Sequence, residues 1–134
     1  MIFVFGSNEQ GIHGGGAAKV ARDKYGAILH QGFGPQGNSF GIPTCHVPVG
    51  RDGWEIPLDK IDFYIRAFML YASMNKQKLY QVTQVGCGFV GLKKEDIAPL
   101  FFNAPEVCLF DTAWEPILGD TTIGGFERRY WGTY

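Results

Sequence analysis

The chain has 134 residues, enough for one sheet covered by helices in a single domain. Hydrophobic side chains make up 46% of it, which excludes a disordered polymer, and a net charge of −1 without long runs of one sign speaks against non-specific nucleic-acid binding. Glycine is the outlier, with 19 residues, about twice the usual share of roughly 7%, clustered in loops without a collagen period.

Met1 leads directly into the continuous apolar run Ile2-Phe3-Val4-Phe5, the pattern of a strand buried on both faces. There is no basic n-region and no long apolar segment, so neither a secretory leader nor a membrane span is expected. A loop follows from Gly6 to Gly16, and Ala17 to about Tyr25 reads as a helix with Gly26 as its C′ residue. Gly32 to Gly37 is a glycine-rich approach to a second strand, Phe40 to Cys45. Arg51-Asp52-Gly53 signals a turn. From about Leu58 to Lys76 the residues Leu58, Ile61, Ile65, Phe68, Met69 and Ala72 recur at three- and four-residue steps, forming one apolar stripe of a helix.

Leu79 to Val85 reads as a strand that runs into the loop Gly86-Cys87-Gly88-Phe89-Val90-Gly91. A short helix is expected near Asp96, with Pro99 in its first turn, and a last strand from Glu106 to Phe110. The aromatic stretch 114–134 shows no regular pattern and stays unplaced. Strands alternating with helices predict an α/β fold, a three-layer α/β/α sandwich on a mostly parallel or mixed sheet. In such a fold ligands sit at the carboxyl ends of the strands, where both glycine loops fall.

The first loop joins Gly6, Ser7 and Asn8 to the triplet Gly14-Gly15-Gly16 ahead of a helix. Glycines let backbone N–H groups touch phosphate oxygens, and the helix start adds unpaired donors and a positive dipole end. The same triplet also suits a purely structural turn. The spacing is neither GxGxxG nor GxxxxGKS, which argues against a Rossmann site or a P-loop. In the second loop, Gly86, Cys87, Gly88, Phe89, Val90 and Gly91 could clamp a diphosphate from the other side. Cys87 is read first as a small buried spacer and second as a nucleophile. His13 and His46 are the attractive acid–base candidates, His30 being expected to pack, and Asn8 offers an amide to a ribose hydroxyl. Cys45, Cys87 and Cys108 are widely spaced and odd in number, and Cys45-His46 has no second pair. No disulfide framework, metal or cofactor is expected, and a reducing cytoplasm fits best.

Phe3-Val4-Phe5-Gly6-Ser7-Asn8 followed by Gly14-Gly15-Gly16-Ala17-Ala18, and Val85-Gly86-Cys87-Gly88-Phe89-Val90-Gly91 further on, resemble the two binding loops of the macro-domain superfamily of ADP-ribose-binding modules. The resemblance spans the order of elements over residues 2–110, Gly41-Ile42-Pro43-Thr44 corresponding to a middle strand, and the short form is similar to small macro-like proteins of phage genomes. It implies that Asn8 contacts the distal ribose, that both loops hold the diphosphate and that Phe89 packs on that ribose. The chain departs from the family where it lacks the preceding strand whose aspartate reads adenine. Three readings stay open: a hydrolase acting at the distal ribose (on a 1″-phosphate or an ADP-ribosyl linkage) with His13 as general base, a non-catalytic binder of a nucleotide signal, and an assembly protein without a ligand.

Overall fold

The computed structural model describes residues 1–133. The apolar run at the start does what its composition dictates. Strand β1 (Ile2–Asn8) is central in the sheet, with Ile2 and Val4 in one core and Phe3 and Phe5 in the other. It runs parallel to β3 (Ser39–Cys45) on one side and to β4 (Tyr80–Val82) on the other. The full order is β2-β3-β1-β4-β5-β6, with β2 (Gly34–Gln36), β5 (Cys108–Asp111) and β6 (Arg129–Gly132). Only β2 runs antiparallel to its neighbour, so the sheet is mixed but mostly parallel.

The larger core lies under α2 (Leu58–Met74), which buries Ile61, Ile65, Phe68 and Ala72. Leu58, expected in that stripe, sits in the exposed first turn, and Met69 is half-buried. The short α3 (Lys94–Ile97) and the 3₁₀ turn Ala98–Phe101 complete that layer, with Pro99 at the start of the turn, where its missing N–H costs nothing. On the opposite face α1 (Gly16–Lys24) lays Ala18 and Ala21 against Phe3 and Phe5. Small alanines let this helix approach the strand closely, which sets its N-terminus beside the end of β1. Gly26, at φ 75°, ends the helix as expected.

Four boundaries differ from the sequence reading, each for a local reason. Gly6 to Asn8 remain in the ladder with β3 instead of opening the loop. The glycine-rich approach contains β2, hairpinned onto β3 through Gly37-Asn38, with Pro35 tolerated on the sheet edge. β4 stops at Val82 because the Thr83 amide and hydroxyl both donate to the Val4 carbonyl, turning the chain out of register. The aromatic stretch after residue 111 is structural. Trp114 is fully buried against Phe101 and Phe110, α4 (Glu115–Leu118) follows, and β6 adds a parallel edge strand. Among the described residues no helix is long and apolar enough to cross a membrane.

Candidate ligand-binding site

The carboxyl ends of β1, β3 and β4 open into a cavity of about 730 Å³, within the range of small-molecule sites. Both glycine loops form its walls. After β1 the chain turns back on itself, and Asn8 holds the turn: its Nδ2 donates to the Ile12 carbonyl at 2.8 Å, and its Oδ1 accepts from the Ile12 amide at 2.9 Å. Each group keeps one further hydrogen-bonding position, so Asn8, on the wall but only 6% exposed, is first a loop anchor. Ser7 is similarly engaged, its hydroxyl donating to the Gly32 carbonyl.

His13 is not on the cavity wall. Its Nε2–H is shared between the carbonyls of Ile28 and Gln31, at 3.0 and 3.1 Å, and its ring stands edge-on to Phe5 at 5.3 Å. The proton is therefore on Nε2, and Nδ1 is buried without a partner. This histidine pins the loop to residues 28–31. It replaces the expected general base with a structural bolt. His46 lies outside the cavity too, exposed, with Nδ1 3.0 Å from Glu9. His30, expected to pack, is exposed at φ 70°.

The chain then delivers a row of unbonded amides. Gly15 caps α1 in extended conformation with no side chain to satisfy the helix start, and the first helical bond is Lys19 N–H to the Gly15 carbonyl, at 3.2 Å. Gly16, Ala17 and Ala18 thus present N–H groups with no acceptor among the described residues, as do Gly14 and Gly15. Across the cavity, bonds from Cys87 N to Gln84 O, Gly91 N to Gly88 O and Leu92 N to Gly86 O shape the second loop. They leave the amides of Gly88, Phe89 and Val90 without an acceptor. Gly86, at φ 77°, is also on the wall, its nitrogen packed where a Cβ on Gly6 would sit 3.2 Å away.

The two loops meet. A Cβ on Gly15 would lie 2.9 Å from Phe89 Cε2, and one on Gly16 3.0 Å from the same atom. Phe89 therefore spans from the second loop to the first while remaining 74% exposed. Gly14 and Gly88 are different. Neither has positive φ, and a Cβ at either would meet nothing within 4 Å. The fold places no demand for glycine at these two wall positions. Gly91, at φ 73°, closes the turn from the outside and is not on the wall.

Cys87 also faces elsewhere, against the larger core, with Sγ 3.6 Å from the Val85 carbonyl. Burial, then the nearby Glu95, pushes its thiol up to about 11, which suits a spacer and not a nucleophile. It borders a smaller adjoining cleft with Gln84 and the buried Asp111, whose Oδ2 accepts from Gln84 at 3.2 Å and Oδ1 from the Ala113 amide at 2.9 Å. Cys45 lies on the main wall, buried, its thiol likewise raised by burial and by Glu9.

The walls contain contributions that sequence reasoning missed. Thr44 and Thr83 come from the ends of β3 and β4, and Pro48, Val49 and Arg51 from the segment that the sequence marked only as a turn. No spacing pattern announces them, because they reach the cavity through the pairing of β1 with β3 on one side and with β4 on the other. Among the described residues the walls hold no aspartate, glutamate, histidine or lysine, and Arg51 is the one permanently charged side chain there. Among the described residues no three His, Cys, Asp or Glu side chains gather as a metal site. No protein-family model, curated protein or solved structure matches the chain, so the assignment of this cavity stands on its own geometry.

Proposed function

We propose that the protein captures a nucleotide diphosphate of the ADP-ribose type in this cavity and acts as a binder, without a catalytic base of its own. The observation that carries the reading is that two rows of unbonded amides, Gly14 to Ala18 and Gly88 to Val90, belong to residues lining one cavity. Gly14, Gly16, Gly88 and Phe89 are exposed and Ala18 is buried, so water can meet most of these donors until a ligand with stronger acceptors displaces it. Free donors on two loops of one cavity suit a group with many acceptor oxygens and distributed negative charge. A diphosphate is such a group, and the positive end of the α1 dipole adds to its attraction. With a net charge of −1 the protein supplies little long-range pull, so these local donors must do the work.

Ile12, Pro48, Val49 and Phe89 give apolar surface for sugar and base faces, and Gly14 and Gly88 leave room for close approach. Asn8, with one donor and one acceptor position left, can still meet a ribose hydroxyl. The resemblance of both loops to macro domains points the same way. Binding is favoured over hydrolysis because, among the described residues, the walls carry no carboxylate or imidazole and His13 is bolted to backbone carbonyls.

Isothermal calorimetry with ADP-ribose, AMP and ribose 5-phosphate tests the reading. Saturable binding of ADP-ribose, clearly tighter than either fragment, with the ligand recovered intact supports it. Equal affinity for all three, or no heat of binding, refutes it, and turnover of a 1″-substituted ADP-ribose would move the protein to the hydrolases.

A further inference from the structure

We infer that the outward face of α2 is the contact surface of a homodimer, in which two copies of this helix pack antiparallel about a two-fold axis. A surface helix needs one apolar stripe, and α2 spends one on the core with Ile61, Ile65, Phe68 and Ala72. It carries a second. Phe63, Ala67, Leu70 and Met74 recur at steps of four, three and four residues, the spacing of a helix–helix seam. At 3.6 residues per turn they fall on the side opposite the buried four. Three of them stay uncovered, Phe63 at 65% exposure, Leu70 at 62% and Met74 at 74%. The charges nearest this stripe are already engaged, Asp62 with Arg66 and Lys60 with Glu9. An apolar row where a monomer would place polar side chains marks an interaction surface.

Charge and register identify the partner as a second copy. Asp59 lies in the first turn of α2, and Lys76 and Lys78 lie just beyond its last. None of the three makes an ion pair or a side-chain hydrogen bond among the described residues. An antiparallel copy brings each acidic end onto a basic one, whereas a parallel copy sets like charges together. With the axis between Phe68 and Met69, residues equally far from it on either side face each other, as an isologous contact requires. Phe63 then meets Met74, the small Ala67 meets Leu70, and Asp59 meets Lys78. The seam is one helix of 17 residues, about 25 Å long and roughly 10 Å wide. That is less than the roughly 800 Å² a partner gives to a standard interface, so the dimer is weak and forms with concentration.

The test is sedimentation equilibrium of the full chain from roughly 1 μM to 1 mM, the range of weak association. Wild type should pass from monomer to dimer across that range, with no larger species. Leu70→Lys sets a charge in the seam and should stay monomeric throughout, while melting like wild type in dilute solution because its side chain is exposed in the monomer. Met74→Lys gives the same readout at the end of the seam. Asp59→Lys and Lys78→Asp should each raise the dissociation constant at least about threefold, since the pair occurs twice per dimer, and the double variant should return it towards wild type. A wild type still monomeric at the top of the range, or a dimer that survives both lysine substitutions, overturns the inference. So does a dimer indifferent to the charge reversals, or assembly beyond two copies.

Discussion

Replacing Gly88 by valine separates what the fold needs from what a ligand needs. The position has no positive φ, a Cβ there meets nothing within 4 Å, and its carbonyl accepts from the Gly91 amide at the first position of a turn, where most residues are accommodated. The substitution also removes backbone freedom from the unfolded chain, a gain of about 0.4–1 kcal/mol where the conformation is compatible. Stability should therefore change by no more than about 1 kcal/mol, a melting shift of a few degrees at this size. Binding should respond quite differently. Two added methyl groups beside the amides of Gly88 and Phe89 hold phosphate oxygens out of hydrogen-bonding range. Losing two charge-assisted bonds of about 1.5–3 kcal/mol each lowers affinity at least a hundredfold. Thermal melts followed by calorimetry with ADP-ribose give both quantities from one preparation. A variant that melts like wild type and still binds ADP-ribose normally would show that the second loop is no part of the site. One that unfolds more than ten degrees early would show that the fold, and not a ligand, requires this glycine.

The contrasting substitution Gly32→Ala places a Cβ 2.1 Å from the Asn8 carbonyl, and should destabilise by about 3 kcal/mol or more, or prevent folding, as read by chemical denaturation. Asn8→Ala removes both bonds to Ile12 and should cost about 1–3 kcal/mol in the same assay, with weaker ADP-ribose binding because the loop loses its anchor. For acid stability, burial raises the Glu9 carboxyl, but bonds from Lys60, Tyr64 and His46 outweigh it and hold the group below its ordinary 4.5. A depressed folded-state value contributes stability above the unfolded value, lost as pH falls through the lower folded one, so Glu9→Gln should flatten the decline of melting temperature below about pH 4.5. Cys87, with its thiol pushed up to about 11, should react with iodoacetamide at neutral pH far more slowly than free cysteine, and Cys87→Ala should bind ADP-ribose like wild type. Fast alkylation, or loss of binding, would return this residue to the site.

Much of the fold was legible because burial leaves a pattern. Ile2 to Phe5 is apolar without alternation since α1 covers one face of β1 and α2 the other, and the α2 stripe predicts Ile61, Ile65, Phe68 and Ala72 at the core. What stayed hidden depends on pairing partners far along the chain. β2 contains glycine and proline and is held by its ladder to β3, and β6 is recruited by β5 through Phe110 and Tyr130, so neither carries a local signal strong enough to declare it. Although bare backbone ahead of a helix suits a structural turn as well, the glycine loops, which both lie on the cavity, stand out in the sequence. Side-chain roles do not: nothing adjacent to His13 reveals that its ring ends under residues 28–31, or that the turn at Arg51 borders the cavity.

An amide-resolved titration reads the central claim directly. In ¹⁵N–¹H correlation spectra of the labelled protein, adding ADP-ribose should move the resonances of Gly14 to Ala18 and of Gly88 to Val90 together, downfield as new hydrogen bonds form, with one shared saturation curve. Shifts confined to one row, or a saturable response elsewhere while both rows stay still, would contradict a diphosphate held between them.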